Sequence, residues 1–277
     1  MGWMYQSRTR LFVQIEVIQP LASMEQSSCL HNKKGLKPKY IHEESVHNLT
    51  APREVVPFVM ELVRPKSILD IGCGTGTWLN VFEEKGITDY LGVDGEYVDR
   101  TMLKIPIDKF LPHELQNSFS LGRRFDLVIS LEVAEHLSER YADVFVNSLA
   151  EHGDTILFSA AIPGQDGQNH LNEQWPEYWE KKFLKHGFYF HDVLRPKIWK
   201  NDKVDFWYRQ NIFLLKKDKP VKGLFDSLAL VHPELHLQTI SNHQLYRKSL
   251  LEGKQGLRLS AQIFFNSLLF KFKNLLE

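Results

Sequence analysis

The chain has 277 residues, of which 43% are hydrophobic, 12% aromatic and 25% charged; this is a globular composition that excludes a disordered, collagenous or coiled-coil protein. Lysine plus arginine and aspartate plus glutamate both number 34, so the net charge is zero and gives no global pull toward nucleic acid. Two cysteines, Cys29 and Cys73, are too few for a disulfide framework, and no apolar run approaches the roughly 18–20 residues of a membrane-spanning helix. The expectation is a soluble, cytoplasmic protein.

Residues 1–39 show no sustained period and end in a basic, turn-rich stretch from Lys33 to Lys39, which reads as a flexible arm. The short apolar run Leu11–Ile18 carries Gln14 and Glu16 and makes a poor signal peptide, and Met24 is an alternative start. A helix is expected from Thr50, as cap, through an apolar face of Val55, Val56, Phe58, Val59, Leu62 and Val63, stopped by Pro65. Strands and helices then alternate: strand Ser67–Ile71, helix Thr77–Lys85, strand Tyr90–Val93, a short third strand at Ile105–Ile107, and the buried strand Phe125–Ser130. A helix over Ser138–Ala150, a strand at Thr155–Ala160, a helix near Glu177–His186 and strands near Phe188–Leu194 and Asn211–Leu215 complete the pattern. Such alternation predicts an α/β fold, a mostly parallel sheet of seven strands with helices on both faces, in one domain over residues 40–216.

The first strand runs into Asp70-Ile71-Gly72-Cys73-Gly74-Thr75-Gly76-Thr77. Glycines at a strand-to-helix turn permit positive φ and close approach of a ligand to the backbone. A dinucleotide loop would need glycine at position 77, where Thr77 stands, and a P-loop would need a Gly-Lys-Ser/Thr ending, which is missing. What remains, D-x-G-x-G-x-G after a strand, resembles motif I of the class I S-adenosylmethionine-dependent methyltransferases. The resemblance covers about residues 47–215. It implies that Asp70, Gly72, Gly74 and Gly76 receive the methionine part and ribose of S-adenosylmethionine. It also implies that Asp94, at the end of Leu91-Gly92-Val93-Asp94, chelates the ribose hydroxyls, that Asp108 meets the adenine, and that Ser130 and Leu131 line the cofactor at the end of the fourth strand.

Glu132, Glu135 and His136 share one face if they lie on a helical turn, at i, i+3 and i+4. Carboxylates with imidazole suit a divalent ion such as Mg2+. The E-x-x-E-H spacing resembles the ubiquinone-pathway O-methyltransferases, although the same Glu-His-Leu triplet is often structural. Metal ligation, general-base action by His136, and packing are the three readings. The loop Ile162–Trp175 is polar and glycine-rich, and His170 within it is a candidate proton acceptor from an alcohol; an ordinary surface loop is the alternative. The whole block, with His47-Asn48 ahead of the first helix, the stretch Gly164–Trp179 and Arg195-Pro196-Lys197-Ile198-Trp199, resembles methyltransferases associated with surface glycan and glycolipid assembly, which implies a sugar acceptor. Trp175, Trp179, Trp199, Trp207 and Tyr208 offer rings for stacking on a sugar or for core packing.

Residues 216–277 hold ten Lys/Arg and five Asp/Glu, about +5 net, and form a helical C-terminal extension over 217–277. Leu257–Leu276 is helix-like and apolar on more than one side, which points to packing within the chain or dimerisation, with peripheral contact to an anionic membrane left open. The expected activity is methyl transfer from S-adenosylmethionine to an oxygen, most simply a sugar hydroxyl in a glycan or glycolipid. The alternatives are a metal-assisted O-methyltransferase on a phenolic or quinone-like acceptor, or an inactive cofactor-binding scaffold.

Overall fold

Asn48 starts the first helix: its Oδ1 accepts the Thr50 amide at 2.8 Å, so the cap lies before Thr50, which is itself helical in α1 (Thr50–Val63). Arg64, left-handed at φ 53°, returns its amide to Met60 and closes α1 ahead of Pro65. The computed structural model describes residues 40–44, 46–219, 228–254 and 256–273; the arm expected over 1–39 and the last residues of the tail lie outside the described residues. The chain continues through β1 (Ser67–Ile71), α2 (Thr77–Glu84), β2 (Asp89–Asp94), β3 (Phe110–Pro112), β4 (Leu127–Leu131), α3 (Ala142–His152) and β5 (Thr155–Ser159). Then come α4 (Pro176–Leu184), β6 (Tyr189–His191), α5 (Arg195–Ile198), α6 (Phe206–Asn211), β7 (Phe213–Lys216), α7 (Pro233–Leu251) and α8 (Leu257–Lys273).

The seven strands form one sheet in the order β3-β2-β1-β4-β5-β7-β6, parallel except for β7, which runs antiparallel to both its neighbours. Each face is sealed by apolar side chains: Val55, Val59, Leu79 and Phe82 of α1 and α2 on one, Phe145, Leu149, Trp179 and Phe183 of α3 and α4 on the other. The chain leaves β1 toward β2 and β3, then returns to β4 on β1's other side. The connections at the carboxyl ends of β1 and β4 therefore diverge and open a crevice, the place where ligands bind in open α/β sheets.

The third strand is not Ile105–Ile107. Pro106 has no N–H for a ladder and leads into a 3-10 turn over Ile107–Lys109; β3 starts at Phe110, opposite Gly92. Ile105 instead buries itself against the glycine loop. The tail is more helical than its sequence period implies, and its near end belongs to the domain. Arg195 Nη1 donates to the Leu228 carbonyl (2.9 Å), the His232 amide donates to Gln210 Oε1 (2.7 Å), and Arg209 pairs with Glu234 at 2.6 Å. No helix among the described residues is long and apolar enough to cross a membrane.

Candidate active site

Gly72, Gly74 and Gly76 all take positive φ (89°, 54° and 81°) and turn the chain from β1 into α2. Gly72 is the most constrained, since a Cβ there would lie within 3.0 Å of three Val133 side-chain carbons. Gly72→Ala is therefore expected to destabilise the fold by about 2–4 kcal/mol, from the left-handed backbone and the overpacking together. Urea unfolding of the variant measures this, and a change below about 0.5 kcal/mol, the scatter of an ordinary surface substitution, would refute it.

Asp94, at the carboxyl end of β2, holds the loop from the other side. Its Oδ2 accepts the Gly74 amide at 2.7 Å, and its Oδ1 accepts the Gly95 amide and the Tyr97 hydroxyl, both at 2.6 Å. Burial raises its pKa against the opposing pull of these donors. Asp70, buried on β1 one strand away, is raised well above the usual carboxylate range by burial and by the charge of Asp94. Ser130 and Leu131 end β4 and are both buried. Asp108 is not brought to this edge: it is exposed in the 3-10 turn before β3, below the level of Gly92. The displaced third strand is the reason. His113 and Glu114 follow β3 in its place, with the His113 amide bonded to the Asp94 carbonyl at 2.7 Å.

The Glu132–His136 stretch is not the helical turn that its spacing suggests. Glu132 is left-handed (φ 55°), and Ala134–His136 forms a single 3-10 turn. Glu132 accordingly stands outside the group that converges, its carboxylate accepting from Gln165 Nε2 at 2.8 Å and Asn211 Nδ2 at 3.1 Å. What converges is Glu135, His136 and His170, each with a ligand atom within 4.8 Å of the others. The Glu135 carbonyl accepts the Leu171 and Asn172 amides (2.8 and 3.0 Å), which brings the long loop, and with it His170, onto the turn.

Both Glu135 carboxylate oxygens and His136 Nδ1 are buried without a hydrogen-bond partner. Burial, then the charge of Glu132, pushes the Glu135 pKa well up. Burial, then the charge of His170, lowers the His136 pKa to about 4, so its ring is neutral at neutral pH. His170 Nδ1 meets Glu173 Oε1 at 2.8 Å. The site also contains residues that its sequence motifs do not mark. Tyr40 and His42, ahead of α1, crowd with His47 of the resembling block against the glycine loop and His136, and Gln165 with Asn211 holds Glu132. The only local signal was their density: a tyrosine and two histidines in eight residues. Of the candidate stacking rings, Trp179 lies in the core, Trp199 packs on His232 and Tyr208 on Trp78; Trp175 is 40% exposed beside the long loop.

A family model described as a methyltransferase domain matches residues 45–195. A sugar N-methyltransferase from Streptoalloteichus sp., KedS8, superposes with a TM-score of 0.51 at 15% identity, covering 68% of this chain and 98% of its own. The methyltransferase domain of bacterial CtHen1 matches at 24% identity and a TM-score of 0.43, over 52% of this chain and 88% of its own. No curated protein sequence matches. Strands β1 to β6, the glycine turn and the acid at the end of β2 stand inside the matched segment, and the chain belongs to the methyltransferase-domain family of class I S-adenosylmethionine-dependent enzymes.

Proposed function

We propose that the enzyme transfers the methyl group of S-adenosylmethionine to a hydroxyl of a sugar, activated at Glu135, His136 and His170. The observation that carries this reading is the convergence of those three groups, with an unpartnered buried carboxylate among them, beside the carboxyl ends of β4 and β5. The glycine loop, Asp70 and Asp94 take the methyl donor, with the Asp94 carboxylate meeting the ribose hydroxyls and the Ser130–Leu131 backbone lining the site. The acceptor enters over the long loop, where Asn169 and Gln174 offer hydrogen bonds and Trp175, 40% exposed, a flat apolar face, while Asn172 is buried and Glu173 is held by the Gly164 amide and His170. KedS8, a sugar N-methyltransferase of the same fold, supports a sugar as the acceptor class.

The residues fit a divalent cation: the His136 imidazole is neutral, the state in which it ligates a metal, and a cation would supply the positive charge that the buried Glu135 carboxylate needs in order to ionise. Such a cation would acidify the acceptor hydroxyl. Glu135, His136 and His170 would hold it, and Glu173 would orient the His170 ring through Nδ1. The chain's main contribution is then placement, with acceptor oxygen and methyl carbon at ~3–3.5 Å in line.

A second reading rests on the His170–Glu173 pair. Without a metal, Glu173 fixes the tautomer of His170, and Nε2 accepts the hydroxyl proton directly. Both readings predict that His170→Ala keeps affinity for S-adenosylhomocysteine within about threefold, less than 1 kcal/mol, while turnover of a sugar-acceptor panel falls about a hundredfold or more. Chelation separates them. Loss of turnover with EDTA, restored by Mg2+ or Mn2+, supports the cation; unaffected turnover leaves the histidine base. A fully active His170→Ala would refute both.

A further inference from the structure

Tyr40, His42 and His47 have no part in the chemistry described so far, yet they join its two halves. Ring centroids run from Tyr97 to His42 (6.0 Å), His47 (4.7 Å), Tyr40 (5.9 Å), His136 (5.1 Å) and His170 (4.9 Å). At one end Tyr97 donates to Asp94; at the other His170 pairs with Glu173. A Cβ on Gly74 would lie 3.2 Å from His42 Nε2 and 3.7 Å from His47 Nδ1, so this segment rests on the middle glycine of the loop. The Ile41 amide donates to Gln168 Oε1 at 3.2 Å, which ties the same segment to the long loop.

We propose that Tyr40 and His42 belong to the methyl-donor site, forming the wall that closes over S-adenosylmethionine, with Tyr40 standing where donor and acceptor meet. The proposal rests on the assignment of the glycine loop to the methyl donor. Two properties of the donor suit these rings. Its adenine is a flat aromatic that stacks on side-chain rings, and the nearly parallel pair Tyr97 and His42, 11° apart, presents such a surface beside Asp94. Its sulfonium carries a positive charge that an aromatic face attracts, and Tyr40 lies toward the end of the chain where the methyl group must meet the acceptor. The Tyr40 ring packs edge-on between His42 (5.0 Å) and His136 (5.1 Å), with its hydroxyl 3.4 Å from His47 Nε2, which sets it between the two halves.

The charge of the donor gives a readout that a merely structural role would not move. S-adenosylmethionine carries the sulfonium; S-adenosylhomocysteine lacks it. Titration calorimetry of both ligands into the full chain is expected to show Tyr40→Ala losing affinity for S-adenosylmethionine at least threefold more than for S-adenosylhomocysteine. Tyr40→Phe, which keeps the ring, restores the wild-type ratio. His42→Ala weakens both ligands about tenfold, through faster release. Hydrogen exchange on the unmutated chain is expected to show the amides before α1 slowed by S-adenosylhomocysteine, which holds whether or not a variant folds. Unchanged affinities in both alanine variants would overturn the proposal. So would tighter binding, which would make the segment an obstruction. A wild-type chain that binds neither ligand removes the methyl-donor reading itself, and this proposal with it.

Discussion

Asp94→Ala is expected to reduce affinity for S-adenosylhomocysteine at least a hundredfold, or about 2.7 kcal/mol. The carboxylate does two things in the structure. It accepts from the Gly74 and Gly95 amides and from the Tyr97 hydroxyl, all within 2.7 Å, and it is 3% exposed; without it the two buried amides lose their acceptor, whereas Tyr97, 39% exposed, can turn to water. A buried donor left without an acceptor costs about 1–3 kcal/mol, and two backbone amides of the cofactor loop are left so. The proposed pairing with the ribose hydroxyls is lost as well, a charge-assisted contact of about 1.5–3 kcal/mol. Asp94→Asn should recover only part of the loss. One oxygen still accepts, but the new amide group presents donors where Gly74 or Gly95 already presents one. Titration of S-adenosylhomocysteine into both variants, with urea midpoints alongside, measures the two effects together. Affinity unchanged in Asp94→Ala would sink the ribose assignment.

The parts of this molecule that could be read from its sequence are those fixed by local constraints. Ser67–Ile71 is a continuous apolar strand bounded by Pro65 and the glycines, and α2 must begin at Thr77 because Gly76 is the last left-handed residue of the turn. The register of Asp94 follows from β2 lying parallel to β1. Elsewhere local rules compete with tertiary ones. Ile105 and Ile107 have the composition of a strand, but Pro106 between them has no donor and the core claims Ile105. Glu132, Glu135 and His136 have helical spacing, but Glu132 turns left-handed and is drawn off by Gln165 and Asn211, respectively 33 and 79 residues away. The helix α7 lies within the helical extension expected over 217–277, but its start was not legible, because its polar residues occur all round and only Leu235 is buried; an Arg209–Glu234 pair and His232 fix where it begins. Tyr40 and His42 reach the site through contacts with Gly74 and His136, which no local pattern announces. The α8 helix stays exposed along its length among the described residues, with Phe264, Phe265, Leu269 and Phe270 each 60% or more exposed.

Glu135 carries the other large expected effect, and it can be measured without knowing the acceptor. Its carboxylate is fully buried, neither oxygen has a hydrogen-bond partner, and Glu132 adds a second acid nearby. A group in that position is costly as an anion unless a cation faces it. Removing the charge while keeping the shape, in Glu135→Gln, should therefore leave the metal-free protein at least as stable as wild type. A cation held by Glu135, His136 and His170 reverses the ranking. At a concentration of 100 Kd a ligand specific for the folded state adds about 2.7 kcal/mol, which for a domain of this size raises Tm by about 5–10 °C. The donor set is one carboxylate oxygen and two imidazole nitrogens, softer than Mg2+ prefers, so Mn2+ should shift Tm at lower concentration than Mg2+. Thermal scans of wild type and Glu135→Gln against both ions, after chelation and dialysis, give the answer. A rise in wild type that is absent from the variant assigns the cation to Glu135. An equal rise in both places the cation elsewhere. No rise in wild type removes the metal, and leaves the buried carboxylate beside His136 and His170 to act on the acceptor itself, where Glu135→Gln would still abolish turnover while sparing affinity for S-adenosylhomocysteine.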